Sequence, residues 1–479
     1  PRHAILRPVT EEPLHWRSAR AIARAIRDRE LSAREVVTAH LERIEEVNLR
    51  LNAIVTLDGE GALAAADQAD ARAAGGAALG PLHGLPVAVK DLEDTAGMRT
   101  TYGSPLFADH VPATDALMVS RLRAAGAIVL GKTNTPEFGV GSHTFNEVFG
   151  ATRNPWALDR SAGGSSGGAG AALAAGLVPL ADGSDHGGSI RNPASFNNVV
   201  GLRPTPGLVP SAGPGDVWEP AAVLGPMARN VADLALMLAA IAGPDPRAPL
   251  SHGDPAIFLA PPEPSVLAGL RIAWWPDVGG LPIEPAVAEV LAGARERWLN
   301  CGAIVEEISP DVSGADGAFE TLRALGFARS FADQLPQLRQ RSKATLVWNV
   351  ERGLALDGPA IARAQRVRGE IFRRVADLLQ RHDLIVAPSA QVAPFPVESE
   401  YPREIAGVTM ESYLAWMRAC TRVTVCSHPV LAVPAGFTAG GLPVGIQLIG
   451  RFRGERELLA HGAAWEAATG FGARRPPGL

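Results

Sequence analysis

The sequence predicts an α/β fold in which a β-sheet is covered by helices on both faces. Between residues 116 and 241 helix-like and strand-like segments alternate, with helices predicted over 116–125, 169–177 and 231–241 and a strand over 127–130. The strand-like segments are short and continuously apolar, which is typical of strands buried on both faces of a sheet. Alternation of such strands with helices indicates the α/β class.

The first part of the chain predicts three helices and a strand. Two helices are expected between residues 18 and 53, and the second begins at a capping box formed by Ser32 and Glu35. An alanine-rich helix follows over 61–74, and a glycine-containing loop then leads into a short apolar strand that ends at Lys90.

The second half of the chain continues with both kinds of element after the segment GPDPRAP, residues 243–249, interrupts the alternation. Strands are predicted at 271–275, 303–308, 384–388, 430–434 and 444–449, and helices at 285–299 and 455–469, with several long helices between the second and third of these strands.

Composition excludes several classes of function. The chain has 479 residues, of which 20% are charged, with a net charge of -5, so nothing in its charge favours nucleic acid or an anionic membrane as a partner. No secretion signal and no run of 18 apolar residues is present, which predicts a cytoplasmic protein without a membrane span. Three cysteines without a paired motif are expected to be free thiols. No ligand pattern for a metal occurs, and no cofactor is expected.

Two glycine-rich loops each carry a serine. They are GGSSGG at residues 163–168 and HGGSIR at residues 186–191, which Asp185 precedes. Glycines allow the backbone to approach a bound group and to turn several N–H groups toward one point, as an oxyanion hole requires. A flexible linker is the alternative interpretation, but apolar helix and strand segments flank both loops, which disfavours it.

Two well-known sequence motifs are present, but the segments around them do not have the secondary structure that each motif requires. Residues 126–133 satisfy the phosphate-binding pattern GxxxxGK[ST], but the intervening Ala-Ile-Val-Leu predicts a buried strand, and Pro136 stands where a helix should be running. Residues 163–167 match the nucleophile elbow, which requires a strand directly before it, and residues 154–160 are a poor strand. The histidines available for a triad, none in an informative context, are His252, His382, His428 and His461.

Lys90 is the candidate base for one of the serines. It ends an apolar strand, where desolvation disfavours the ammonium and can lower a lysine pKa toward ~7–8, the range in which the amine accepts a proton. The alternative is a surface lysine paired with Asp91. Spacing alone leaves both interpretations open.

Taken together, these motifs resemble the amidase signature family of serine hydrolases. The resemblance is carried by GLPVAVKD (84–91), GKTNTPEF (131–138), GGSSGG (163–168), GSDHGGSIR (183–191), VGLRPT (200–205) and PVGIQLI (443–449). It implies one α/β domain, residues 1–479, around a large mixed sheet. Within it we expect N-terminal helices (1–75), a catalytic core (76–245), a helical, substrate-side region (246–395), and closing strands with a C-terminal helix (396–479).

The resemblance also implies roles for individual residues. Ser189 would be the nucleophile, Lys90 the base, and Ser165, in a cis peptide, the relay between them. The implied oxyanion hole consists of the backbone N–H groups of His186, Gly187, Gly188 and Ser189. Supporting roles fall to Ser166, Asp185 and Arg191, and the substrate pocket is expected to include Gly139, Gly163, Gly164 and Trp218.

The expected activity is hydrolysis of carbon–nitrogen bonds in neutral, fairly hydrophobic amides and carbamates through an acyl-enzyme. The segments expected to select the substrate, 207–221, 327–350 and 413–421, are apolar to mixed. We expect a small-molecule substrate and a monomer or homodimer. Two alternatives stay open: the glutaminase subunit of a tRNA-dependent amidotransferase, and a non-catalytic binding protein of the same fold, which the joint presence of Lys90, Ser165 and Ser189 disfavours.

Overall fold

The computed structural model describes residues 12–213 and 217–479. The beginning of the predicted N-terminal helical stretch and the centre of the predicted substrate-selecting segment 207–221 therefore lie outside the described residues. Among the helices that are described, none is both long enough and apolar enough to cross a membrane.

Helices are distributed along the whole described chain. They are α1 (Ala19–Arg27), α2 (Ala33–Leu51), α3 (Gly59–Ala74), α4 (Leu117–Ala124), α5 (Gly167–Ala174), α6 (Arg191–Asn197), α7 (Val231–Ile241), α8 (Pro285–Asn300), α9 (Ala315–Phe331), α10 (Leu335–Arg341), α11 (Ala344–Leu354), α12 (Gly358–Leu379), α13 (Arg418–Val425) and α14 (Glu455–Thr469).

The strands lie between these helices. They are β1 (Ile54–Leu57), β2 (Pro86–Lys90), β3 (Ile128–Thr133), β4 (Phe145–Asn146), β5 (Gly150–Ala151), β6 (Arg153–Asn154), β7 (Ala157–Ser161), β8 (Leu180–Asp185), β9 (Val200–Arg203), β10 (Val223–Ala228), β11 (Arg271–Trp274), β12 (Ile304–Glu307), β13 (Leu384–Pro388), β14 (Glu404–Ile405), β15 (Val408–Thr409), β16 (Val430–Phe437) and β17 (Pro443–Ile449).

One mixed sheet of eleven strands organises the molecule, in the order β1-β3-β2-β8-β10-β9-β16-β17-β13-β11-β12. Strand β2 runs parallel to both of its neighbours, β3 and β8, and β11 runs parallel to β12 and β13, whereas the other pairs are antiparallel. The predicted fold class, a single large α/β domain around a mixed sheet, is confirmed.

The sheet is buried on both faces. Along β13, Leu384 and Val386 pack into one hydrophobic core, and the alternating residues Ile385 and Ala387 pack into a second. Because successive side chains of a strand point to opposite faces, the two cores lie on opposite sides of the sheet. This explains why the strand sequences are continuously apolar and do not alternate with polar residues.

Several local predictions are confirmed and others need correction. The capping box of Ser32 and Glu35 begins α2 with both reciprocal hydrogen bonds present. Strand β3 extends through Lys132, which confirms that GxxxxGK[ST] is not a phosphate-binding loop. The prediction that 154–160 is a poor strand is wrong in part, since Ala157–Ser161 forms β7, although this strand lies outside the central sheet and pairs with β6 and, at Arg160, with Pro396.

We expect substitution in the central sheet to be costly. Leu448 of β17 is fully buried and pairs with strands on both sides, so Leu448→Ala should lower the free energy of unfolding by about 2–5 kcal/mol because a cavity remains. Leu354→Ala is the matched control, since Leu354 is 54% exposed, and chemical denaturation measures both. Equal losses of stability in the two variants would contradict this view of the core.

Candidate active site

The topology brings the two predicted serine loops and Lys90 to one edge of the sheet. Strands β2 and β8 are parallel neighbours, with Val87 opposite Leu180 and Ala88 opposite Ala181. Because parallel strands end at the same edge, Lys90 at the end of β2 meets the turn that follows β8. The other loop, GGSSGG, leads into α5, and the backbone N–H of Ser166 donates to the carbonyl of Ser189 at 3.1 Å, which joins the two loops.

The amine of Lys90 is held by three serine hydroxyls. Its Nζ lies 2.7 Å from Oγ of Ser165 and 2.9 Å from Oγ of both Ser166 and Ser184. The lysine side chain is fully buried, and its backbone N–H donates to Oδ1 of Asp182 at 2.7 Å. The structure therefore brings Lys90 and Ser165 into direct contact.

Burial also changes the acid–base character of Lys90. It lowers the pKa of the lysine from 10.5 to about 8, although Asp182, Glu93 and Asp185 act in the opposite direction. The alternative of a surface lysine paired with Asp91 is wrong, because Lys90 is buried and the carboxylate of Asp91 accepts hydrogen bonds from Thr101 instead. A neutral amine at this place can accept a proton from a hydroxyl.

Ser165 and Ser189 line the same cavity. The peptide bond between Gly164 and Ser165 is cis, as the family resemblance implies. Both serines are largely buried and line the cavity, and no direct hydrogen bond joins their hydroxyl groups among the described residues. The arrangement places one hydroxyl on the lysine and a second hydroxyl next to the space that a substrate can occupy.

The turn that carries Ser189 is built around the buried carboxylate of Asp185. Arg191 pairs with Asp185 through two hydrogen bonds, Nε to Oδ2 at 3.0 Å and Nη2 to Oδ1 at 2.8 Å. Burial alone would raise the pKa of Asp185, but Arg191, Arg203 and the N–H groups bonded to it hold that pKa well below its usual range. Asp185 therefore stays ionised and fixes the shape of the turn.

Asp185 also decides which N–H groups remain available. The N–H of Gly188 donates to Oδ1 of Asp185 at 3.0 Å, so this structure corrects the prediction that Gly188 belongs to the oxyanion hole. The other predicted donors, the N–H groups of His186, Gly187 and Ser189, have no acceptor among the described residues, and all three residues line the cavity. These three form the candidate oxyanion hole.

The cavity has a volume of about 160 Å³ and mixed walls. Its apolar walls come from Leu92, Phe138, Phe327 and Met417, and it also includes the predicted pocket residue Gly139. The other three predicted pocket residues do not line it: a Cβ on Gly163 would meet Pro193, a Cβ on Gly164 would meet the backbone of His143, and Trp218 is 63% exposed. In the described ranges 12–213 and 217–479, no group of three or more His, Cys, Asp or Glu is placed to hold a metal ion.

Two polar residues of the site were not identified from the sequence. Ser184 is the third hydroxyl on Lys90, and Arg323 of α9 reaches the cavity from a distant part of the chain. The sequence does contain a pattern that could have identified Ser184. Asp182 and Ser184 are two residues apart on β8, so their side chains lie on the same face of the sheet. Arg323 has no such local signal.

Known proteins are similar to this chain over most of its length. A family model described as Amidase matches residues 35–459. The acylamidase of Rhodococcus erythropolis is 37% identical over 475 residues, covering 98% of both chains. One subunit of the glutamyl-tRNA(Gln) amidotransferase of Moorella thermoacetica is 36% identical over 493 residues, covering 97% of this chain and 99% of that protein.

Solved structures are similar over the same extent. A bacterial aryl acylamidase of the amidase signature family has a TM-score of 0.89 at 28% identity, covering 97% of this chain and 100% of the other. The 6-aminohexanoate cyclic dimer hydrolase in complex with substrate has a TM-score of 0.84 at 29% identity, covering 97% and 99%. With a family model, full-length relatives and full-length structures in agreement, the chain belongs to the amidase signature family, as its motifs predicted.

Proposed function

We propose that this protein is a serine amidohydrolase that cleaves carbon–nitrogen bonds through an acyl-enzyme on Ser189. The observation that carries the proposal is the contact between the buried amine of Lys90 and the hydroxyl of Ser165, in a cavity that Ser189 also lines. Nucleophilic catalysis requires a nucleophile that the substrate can reach and a base that can take its proton, here with Ser165 between the cavity and the buried amine. Membership of the amidase signature family supports the same reaction class.

In the first step, the neutral amine of Lys90 accepts a proton from the hydroxyl of Ser165, which in turn takes the proton of Ser189. The Ser189 oxygen attacks the carbonyl carbon of the substrate, and negative charge develops on the carbonyl oxygen. The free N–H groups of His186, Gly187 and Ser189 would stabilise that charge, each by about 3 kcal/mol.

In the second step, the proton returns from Lys90 through Ser165 to the departing nitrogen, and the carbon–nitrogen bond breaks. The amine leaves and the acyl group stays on Ser189. Water then attacks the acyl-enzyme with the same relay as base, which releases the acid and restores the serine. With a carbamate, the alkoxycarbonyl group would be released as alcohol and carbon dioxide.

The walls of the cavity indicate the kind of substrate. Leu92, Phe138, Phe327 and Met417 supply apolar and aromatic surface next to Ser189, which favours amides and carbamates of small molecules with fairly hydrophobic groups. Phe327 belongs to the stretch 246–395, and its position supports the substrate-side role proposed for that stretch. The matching acylamidase and aryl acylamidase support an amide substrate. We further propose a cytoplasmic monomer or homodimer.

A second candidate function is the glutaminase subunit of a tRNA-dependent amidotransferase. The observation that favours it is the similarity of the whole chain to one subunit of the glutamyl-tRNA(Gln) amidotransferases of several bacteria. Such a protein would share the residues around Ser189 and differ in its dependence on a partner. The non-catalytic alternative is disfavoured by the intact contact between Lys90 and Ser165.

We expect single substitutions in the relay to separate the three roles. Ser189→Ala should abolish covalent labelling by a fluorophosphonate, and Ser165→Ala and Lys90→Met should each lower kcat/KM for a 4-nitroanilide by about 10²–10⁴, because proton transfer is lost. Ser120→Ala, an exposed serine on α4, is the control and should behave as wild type. Near-normal turnover by any of the three site variants would remove that residue from the mechanism.

The depressed pKa of Lys90 predicts the pH dependence. Because the base must be uncharged, kcat/KM should rise with pH, reach half its maximum near the lysine pKa of about 8, and level off above it. Burial also lowers the pKa of Lys343 to about 8, so Lys343→Met is the control and should keep the inflection. A rate that falls as pH rises through this range, or an inflection that persists in Lys90→Met, would contradict the assignment.

The two candidate functions differ in what the purified chain does alone. We expect it to hydrolyse 4-nitroanilides of apolar acids, and carbamates of 4-nitroaniline, without ATP or a partner, read by release of nitroaniline. A matched 4-nitrophenyl ester reports acyl transfer when C–N cleavage is slow. Ester cleavage without any amide or carbamate cleavage would count against an amidohydrolase. Glutamine hydrolysis that appears only with a partner protein would favour the amidotransferase.

A further inference from the structure

Arg323 of α9 is a buried cation, and none of the described acidic residues pairs with it. Only 4% of its surface is exposed, its Nη2 donates to the hydroxyl of Tyr413 at 3.2 Å, and its guanidinium carbon lies 4.7 Å from the ring centre of Phe327. No carboxylate of the described residues lies within ion-pairing distance, and its Nε has no hydrogen-bond partner there. Arg323 lines the cavity that contains Ser165 and Ser189.

The charged and titratable groups around Arg323 do not compensate it. Burial and the nearby arginines lower the pKa of His186 to about 3, so this imidazole is neutral. Glu219 lines an adjoining outer cavity, but it lies 3.9 Å from both Arg329 and Arg368. Among the described residues, neither His186 nor Glu219 therefore neutralises the charge of Arg323.

Arg323 also stands where the two cavities meet. The inner cavity with Ser189 and the outer cavity of about 190 Å³ share the residues Phe138, His186, Ala222, Arg323 and Phe327. A substrate whose scissile bond lies at Ser189 and whose body extends outward would pass the guanidinium. The outer cavity also contains Glu219 and Arg329, which lie 3.9 Å apart, whereas Arg323 belongs to the wall that both cavities share.

A buried cation without a counterion is unfavourable, and binding of an anion from the substrate would relieve that cost. Carboxylates match the fork of a guanidinium, and such hydrogen bonds are stronger away from water. We propose that Arg323 is a specificity-determining residue that binds a carboxylate of the substrate, so that the preferred amides combine an apolar or aromatic body with one carboxylate. This inference rests on the proposed function. It changes the expected substrate from a wholly neutral amide to an amide that carries one carboxylate.

Arg352 also stacks on an aromatic ring and can be compared with Arg323. Arg352 of α11 stacks on Trp348 at the same distance, 4.7 Å, but it is paired with Glu320 at 3.0 Å and its side chain is 40% exposed. Stacking on an aromatic ring therefore does not require an unpaired cation. Arg323 differs from Arg352 in two respects: no acid of the described residues pairs with it, and it lines the cavity.

The test compares matched substrates that differ only in the charged group. In the acyl half, glutaryl 4-nitroanilide is compared with pentanoyl 4-nitroanilide. In the amine half, the butyryl amide of 4-aminobenzoate is compared with that of 4-aminobenzamide, with products separated by chromatography. In at least one pair, the carboxylate member should have a kcat/KM about tenfold or more above its neutral partner, the effect of a charged hydrogen bond.

Variants then assign this preference to Arg323. Arg323→Met should abolish the preference, mainly by raising KM for the carboxylate member, and should change the neutral member by less than about threefold. Arg323→Lys should restore part of the preference because it keeps the charge. Arg352→Met is the control and should leave both members unchanged. Circular dichroism and thermal unfolding establish that each variant is folded.

Three outcomes would overturn the inference. Equal losses for charged and neutral members in Arg323→Met, with no rescue by lysine, would show that Arg323 only supports the fold of the wall. Hydrolysis without any carboxylate preference in either pair would remove the inference and leave the proposed function standing. No hydrolysis of any of the four amides would overturn the proposed function, and the inference with it.

Discussion

The burial of one amine governs the architecture of the site. Lys90 ends a strand in the interior of the sheet, where a charged ammonium would be poorly solvated, and three serine hydroxyls satisfy its amine instead. Those hydroxyls come from the loop before α5 and from β8, so the position of Lys90 requires β8 to lie beside β2 and the glycine-rich loop to cross their ends. The low pKa of Lys90, the proposed base, and the order of the strands around it therefore depend on each other.

The site contains one buried charge that is paired, that of Asp185, and one that no described acid pairs, that of Arg323. Asp185 is fully paired by Arg191 and Arg203 and takes the N–H of Gly188, so the turn around Ser189 is rigid and its three remaining N–H groups have a defined direction. In another part of the cavity wall, Arg323 carries a charge that no described acid balances. The paired turn around Ser189 is suited to the proposed reaction, and the unpaired charge of Arg323 is suited to the proposed selection of the substrate.

Most of this fold and the central residues of the site could be predicted from the sequence. Lys90, Ser165 and Ser189 stand in glycine-rich or apolar motifs whose local pattern is specific, and α7, α14 and β13 have the predicted bounds. Two features could not be predicted, because both depend on tertiary packing. They are the hydrogen bond from the Gly188 N–H to Asp185 and the position of Arg323 of α9 in the cavity wall. The same reason applies to β7, whose backbone pairs with β6 and with the distant residue Pro396.

The most direct measurement is an NMR titration of Lys90 itself. The chain contains only three lysines, Lys90, Lys132 and Lys343, so protein labelled with 13C-lysine gives a small set of side-chain signals, and the one missing in Lys90→Met belongs to Lys90. We expect this signal to titrate with a pKa of about 8, well below the ordinary lysine pKa of 10.5. A Lys90 signal that remains that of a charged ammonium up to pH 10 would contradict this expectation.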